Sequence, residues 1–147
     1  MLDLALAVGH HLTIFALFGV LIVELVLVRK GMDADAIKRV ANIDLWYGIL
    51  AGVIVAFGFS RAVFAAKGWD YYQHNAVFWA KIGLFVVIGL LSVPPTLAYI
   101  RWRKPDAPAP SDSEIAGLRR LLWLEVALFA TLPILAAAMA RGYGQII

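Results

Sequence analysis

The apolar run VGHHLTIFALFGVLIVELVLVRK, residues 8–30, carries His10, His11 and Glu24. Later apolar runs carry Asp44 and Arg61, then Lys81, then Glu125 and Met139. An imidazole is a metal ligand, and a helical bundle with inward-facing polar groups is a common scaffold for haem iron. His10 and His11 are therefore candidate metal ligands, Met139 is a candidate second axial ligand, and Arg61 and Lys81 could hold an anionic group such as a haem or porphyrin propionate. Zinc fits less well, because only His74 adds a third imidazole and it stands in a loop. The carboxylates Glu24, Asp44 and Glu125 are candidates for a proton-accepting or ligand-orienting site, since carboxylates clustered in low dielectric perturb one another's protonation.

Each group also has a plainer role. Glu24, Asp44 and Glu125 are expected to pair with Arg39, Arg101, Arg119 and Arg120 and so fix helix register. Arg61 and Lys81 can snorkel to the interface, and an interior His10 can simply hydrogen-bond a neighbouring helix.

Positioning these groups falls to membrane-spanning helices. Of 147 residues 63% are hydrophobic and 16% charged, far more apolar than one soluble core can hide. There is no cysteine, which excludes disulfides, thiolate metal sites, iron–sulfur clusters and cysteine nucleophiles. The net charge of +3 lies at the ends of apolar runs rather than on one face, so nucleic acid is not an expected partner. A span needs roughly 20 apolar residues, and four segments meet that, at about 4–28, 44–66, 76–100 and 118–140. The first lacks a basic start and a small-residue cleavage site, so it reads as a mature span rather than a signal peptide. The expectation is a single domain over 1–147, an all-α integral membrane four-helix bundle.

The connections carry cap chemistry. Gly31 follows the first span, Asp33 or Asp35 starts the next helix, and Ser111 with Glu114 matches a capping box. Arg29, Lys30, Lys38 and Arg39 fill one connection, and Arg101, Arg103, Lys104, Arg119 and Arg120 another. The opposite side has Lys67 and Arg141, with Arg61 and Lys81 nearby inside the spans. The positive-inside rule then puts both termini on the non-cytoplasmic side. Gly48, Gly52 and Ala56 recur every fourth residue and suggest close packing against another helix. Pro94 and Pro95 are expected to kink or locally unwind the third span.

At 100° per residue, Asp3, His10, Thr13, Leu17 and Glu24 share a face, while His11 points away from it. Lys81, Ile88, Ser92, Pro95 and Tyr99 form a second stripe. Glu125, Leu132, Ala136 and Met139 form a third, and Asp44, Gly48, Ala51, Val55 and Gly58 a fourth with Arg61 at its edge. Sorted by depth, the acids lie toward the cytoplasmic side and His10, His11, Arg61, Lys81 and Met139 toward the other, with His10 and Glu24 about 20 Å apart at helical rise.

The stretches HHLTIFALFGVLIVELVL, FWAKIGLFVVIGLLSVPPTL and RRLLWLEVALFATLPILAAAMARG resemble a bacterial family of small four-span membrane proteins, domain of unknown function 2214. That resemblance covers nearly the whole chain and implies a fold but no activity. A more distant similarity is to the HemJ-type protoporphyrinogen oxidases, membrane proteins that bind b-type haem. It rests on an early histidine (His10 or His11), the lead-in IKRVANID, Trp79 and Lys81 in FWAK, and Glu125 in WLEVA. It implies histidine as haem ligand and makes Lys81 and Glu125 the candidate catalytic residues. The chain departs from it in having Glu24 where that family tends to show proline and arginine, and in lacking its Asn-Glu-Val-Pro run.

The expected protein is thus a multi-pass protein of the bacterial inner membrane with a polar intrabundle site, binding b-type haem or porphyrin for redox chemistry. Two alternatives stand beside that: a non-enzymatic accessory or assembly subunit, self-associating or held in a larger membrane complex, and a small proton or ion transporter through Glu24, Asp44, Lys81 and Glu125.

Overall fold

The computed structural model describes residues 1–64 and 68–146. Lys67, counted above for orientation, and the expected end of the second span at residue 66 lie outside the described residues. Six helices follow in order: α1 (Leu2–Leu27), α2 (Ala34–Phe64), α3 (Gly68–Gln73), α4 (Ala76–Trp102), α5 (Asp112–Phe129) and α6 (Leu132–Ala140). Four stretches are long and apolar enough to cross a membrane: α1, α2, α4 and the α5–α6 unit Asp112–Ala140. The protein is an all-α membrane protein built as a four-span bundle. Exposed Phe15, Val26, Leu90 and Ile134 point away from the packed interior, as lipid-facing side chains should.

Helix ends follow local chemistry. Gly31 takes φ +70 after α1, a left-handed turn that favours glycine. Asp33 caps α2, its Oδ1 accepting the Ala36 amide at 2.7 Å, so the amphipathic lead-in is continuous with the span. Ser111 caps α5 by accepting the Glu114 amide at 3.2 Å, but the Glu114 carboxylate pairs with Arg101 instead of closing the capping box. That pair and Lys30–Asp112, at 2.8 Å, tie the two basic connections to helix starts.

The local unwinding expected at Pro94 and Pro95 is not seen. α4 runs unbroken through Pro94 and Pro95, with Ser92 Oγ donating to the Gly89 carbonyl at 2.8 Å. The break comes instead in the last span, between α5 and α6. Pro133 has no N–H to offer the Phe129 carbonyl and crowds it, so the helix stops and restarts. Thr131 fills the gap, its hydroxyl donating to Leu128 O at 2.6 Å and its carbonyl accepting Ile134 N at 3.1 Å.

The core runs through Leu17, Leu21, Ile88, Tyr99, Leu122 and Phe129. α1 pairs with α2, α4 packs on α2 and α5, and α5 closes back on α1. The α1–α5 seam includes stacked Phe18 and Phe129 rings, 5.3 Å between centroids, just before the break. Past it α6 packs on α4 and has no comparable seam with α1. Gly48, Gly52 and Ala56 are exposed, and a Cβ placed at either glycine would meet nothing within 4 Å. The expected helix packing at this stripe is therefore not made within the chain; α2 turns its Tyr47 and Ile54 face inward instead.

At the end bearing both termini, residues 143–146 are fastened to the start of α4. Asn75 is fully buried, and its Oδ1 caps α4 at the Phe78 amide, 3.0 Å. Its Nδ2 donates to Tyr143 O at 3.2 Å and Gln145 Oε1 at 3.0 Å, while Ile146 N donates to His74 O at 2.9 Å. Gly144, at φ +83, lets the tail pass so close that a Cβ would lie 2.5 Å from Val77 Cγ2.

Candidate functional site

Three buried carboxylates from three spans meet in the half of the bundle remote from the termini. Glu24 and Glu125 are 2% and 0% exposed, Asp44 8%. Each faces the other two closely enough for their charges to interact, or is linked to them through the third. Each also receives one neutral hydroxyl from a different helix. Tyr99 donates to Glu24 Oε1 at 2.9 Å, Thr96 to Asp44 Oδ1 at 2.7 Å, and Tyr47 to Glu125 Oε2 at 3.3 Å. The second oxygen of Glu125, Oε1, is buried without a partner.

The expected arginine pairing of these acids is not formed. Arg101 is engaged by Glu114, and Arg39 and Arg120 are exposed. Arg119 reaches α1, but to its carbonyls: its Nη1 donates to Leu25 O at 2.8 Å and to Val28 O at 2.5 Å. The last carbonyls of a helix have no partner of their own and carry partial negative charge, so they compete well for a guanidinium. Arg119 also stands six residues before Glu125, about 9 Å along the axis, too far toward the connection to serve the cluster.

Among the described residues the cluster is thus all-acid and all-hydroxyl, with no cation bonded to it. Desolvating a carboxylate costs several kcal/mol in a protein interior even after relaxation. Charge balance then requires that such a group hold protons or a bound cation. Among the described residues no three His, Cys, Asp or Glu side chains are arranged to hold a metal ion.

The terminal half holds the basic residues. His10 lies level with Gly58 of α2, where an added Cβ would sit 3.6 Å from His10 Cε1, and one residue earlier Gly9 abuts the Phe57 ring. Arg61 and Lys81 are the strongest charged neighbours of His10. His10 Nδ1 and Arg61 Nε are buried without partners. His11 is exposed, its Nδ1 bonded to Ala7 O at 2.7 Å and its ring edge-on to His10, so the two imidazoles do not converge on one point. His74 is exposed and bonds the Asp70 carbonyl. Met139 packs with Tyr71, Tyr72, Phe78 and Ile82, and Tyr71 Oη donates to its carbonyl at 3.3 Å.

Lys81 and Glu125, the paired candidates for catalysis, fall in different halves. Lys81 stands 15 residues before Thr96 on α4, about 22 Å at helical rise, whereas Glu125 belongs to the cluster around Thr96 and Tyr99. Tyr47 and Thr96 are the members of that cluster that the sequence reading passed over. Their signal was a hydroxyl one helical turn from another polar group inside a span: Asp44 with Tyr47, Thr96 with Tyr99.

A family model described as a predicted membrane protein, DUF2214, matches residues 2–144. The chain belongs to this family. No curated protein and no solved structure matches it. The description of DUF2214 gives membrane residence and no chemistry, so the likeness to HemJ-type oxidases gains no support from these comparisons.

Proposed function

We propose that this DUF2214 protein binds and releases protons at the Glu24–Asp44–Glu125 cluster, as a proton-transporting or proton-coupled unit of the bacterial inner membrane with both termini on the non-cytoplasmic side. One observation carries the reading: three buried carboxylates each take one hydroxyl donor and, among the described residues, no cation, with Glu125 Oε1 left unsatisfied. Intramembrane ionisable groups of this kind mark proton relays. The hydroxyls of Tyr47, Thr96 and Tyr99 can stabilise either protonation state, since each can donate or accept. Four helices leave no room for a wide pore, and protons need none. Proteoliposomes driven by an imposed potential should acidify or alkalinise faster than empty ones, and Glu125→Gln should abolish the difference. Flux unchanged by neutralising all three carboxylates would refute the proposal.

A second reading concerns the terminal half. The partnerless His10 Nδ1 beside Arg61 and Lys81 favours a b-type haem or porphyrin there, with imidazole on the iron and the cations on the propionates. When bound, haem would supply one-electron chemistry. Purified protein should then show a Soret band that is lost in His10→Ala; a colourless preparation reconstituted with hemin and still lacking the band would refute it.

A further inference from the structure

Among the described residues the terminal half has a surplus of positive charge with no acid bonded to Arg61 or Lys81. Arg61 stands three residues from the described end of α2 and Lys81 five from the start of α4, about 5 and 8 Å of helical rise inside the bundle. They are charge neighbours of each other and of His10. Acids at that end are engaged or remote: Asp70 accepts from Gln73 and faces the His74 ring, and Asp3 is exposed in the first turn of α1. Arg61 Nε and His10 Nδ1 remain buried without partners. The buried, unpartnered Arg61 Nε calls for an acceptor, and the neighbouring Lys81 and His10 favour one that carries negative charge.

The surrounding fold says from where that partner comes. The α1–α5 seam closes at Phe18–Phe129, the helical hydrogen bonding is interrupted at Ala130–Thr131, and α6 follows α4 rather than α1. The flank of α1 nearer the termini is therefore reachable from the bilayer. Gly58 presents no side chain opposite His10. The depth, about two turns or less below the helix ends, is that of the boundary between headgroups and acyl chains. A freely dissolved anion would enter from water; one with a hydrocarbon tail enters along this flank and leaves its tail in lipid.

We propose that His10, Arg61 and Lys81 bind the anionic head of a membrane-borne amphiphile, a long-chain carboxylate or the phosphate of an acidic phospholipid. The guanidinium and ammonium supply charge-assisted hydrogen bonds and the imidazole a further one. The amphiphile takes the three residues that the haem reading would use, so it is an alternative to that reading, and it is independent of the carboxylate cluster.

The test uses the full chain in phosphatidylcholine nanodiscs with a fluorescent fatty acid as reporter, displaced in turn by oleate, methyl oleate and phosphatidylglycerol. Displacement by oleate or phosphatidylglycerol, at concentrations at least about tenfold below those needed for neutral methyl oleate, supports the site. Which of the two is preferred tells whether a carboxylate or a phosphate is held. Arg61→Gln and Lys81→Gln should each weaken that binding by about tenfold or more, in protein whose helical content and elution are unchanged. Equal potency of methyl oleate and oleate on the unaltered protein, without preference for phosphatidylglycerol, overturns the proposal. So does unaltered binding in the Arg61→Gln/Lys81→Gln double variant.

Discussion

Replacing Glu125 by glutamine separates a proton-binding cluster from a structural ion pair, because the two predict different stabilities. Glu125 is fully buried, holds one hydrogen bond of 3.3 Å from Tyr47 through Oε2, and leaves Oε1 unpartnered. Glutamine keeps the volume, and its amide oxygen can retain the Tyr47 bond. Its amide nitrogen takes the place of an oxygen that already lacked a partner. An unsatisfied buried polar group costs about 1–3 kcal/mol before and after the change, so the two costs largely offset. The expected net change is within about 1 kcal/mol, in either direction. Had Glu125 been paired with a buried arginine, removing its charge would cost about 3–5 kcal/mol. Reversible unfolding in mixed micelles, followed by circular dichroism, reads the difference. A loss of the larger size, restored by neutralising Arg119 or Arg120 as well, would refute the reasoning. Proton flux should vanish in the same variant while its stability is kept.

Asn75→Ala removes the α4 cap and the two side-chain bonds to the tail, leaving the backbone bonds Ala76–Gly144 and Ile146–His74; with a cap worth about 1 kcal/mol and two further bonds of similar size, a loss of about 2–3 kcal/mol is expected in the same unfolding assay. Pro133→Ala should close the hydrogen-bond gap between α5 and α6, because the amide at 133 can again bond Phe129; the chain has no native cysteine, so spin labels on cysteines introduced by Ala127→Cys and Ala137→Cys, both exposed sites, should report a narrower distance distribution. Gly52→Leu points into lipid and meets nothing inside the chain, so thermal stability should hold, and a change confined to oligomeric state would identify α2 as a self-association face.

Span number and the two polar halves were legible in the sequence, because apolar length and helical periodicity report them directly; the stripe read on α2 matched the inward face only in part, since Gly48 and Val55 are exposed. His10 lies half-buried and His11 exposed because 100° of rotation separates neighbours on one helix. What the acids bind was not legible. Arg119 and Glu125 fall on one helix near Glu24, so ion pairing was the natural expectation, but the open carbonyls of α1 claim the guanidinium first. Tyr47 and Tyr99 become partners of Glu125 and Glu24 across 78 and 75 residues, a register that only the packing of α1, α2, α4 and α5 sets. The Asn75 clasp likewise depends on a contact 70 residues away, to Gln145, and no local pattern announces it. For the prolines, local context decided. A tandem pair inside α4 was carried by a helix packed on α2, α5 and α6, whereas Pro133 sits where the last span leaves α1 for α4.

The most direct test of the proton-binding account is a pH-induced infrared difference spectrum of the reconstituted protein. It should contain a reversible carboxylic-acid carbonyl band that shifts in deuterium oxide, weakens in Glu125→Gln, and disappears in the Glu24→Gln/Asp44→Asn/Glu125→Gln variant. A spectrum in which that triple variant is indistinguishable from the unaltered protein would mean that these carboxylates do not exchange protons, and would contradict the account.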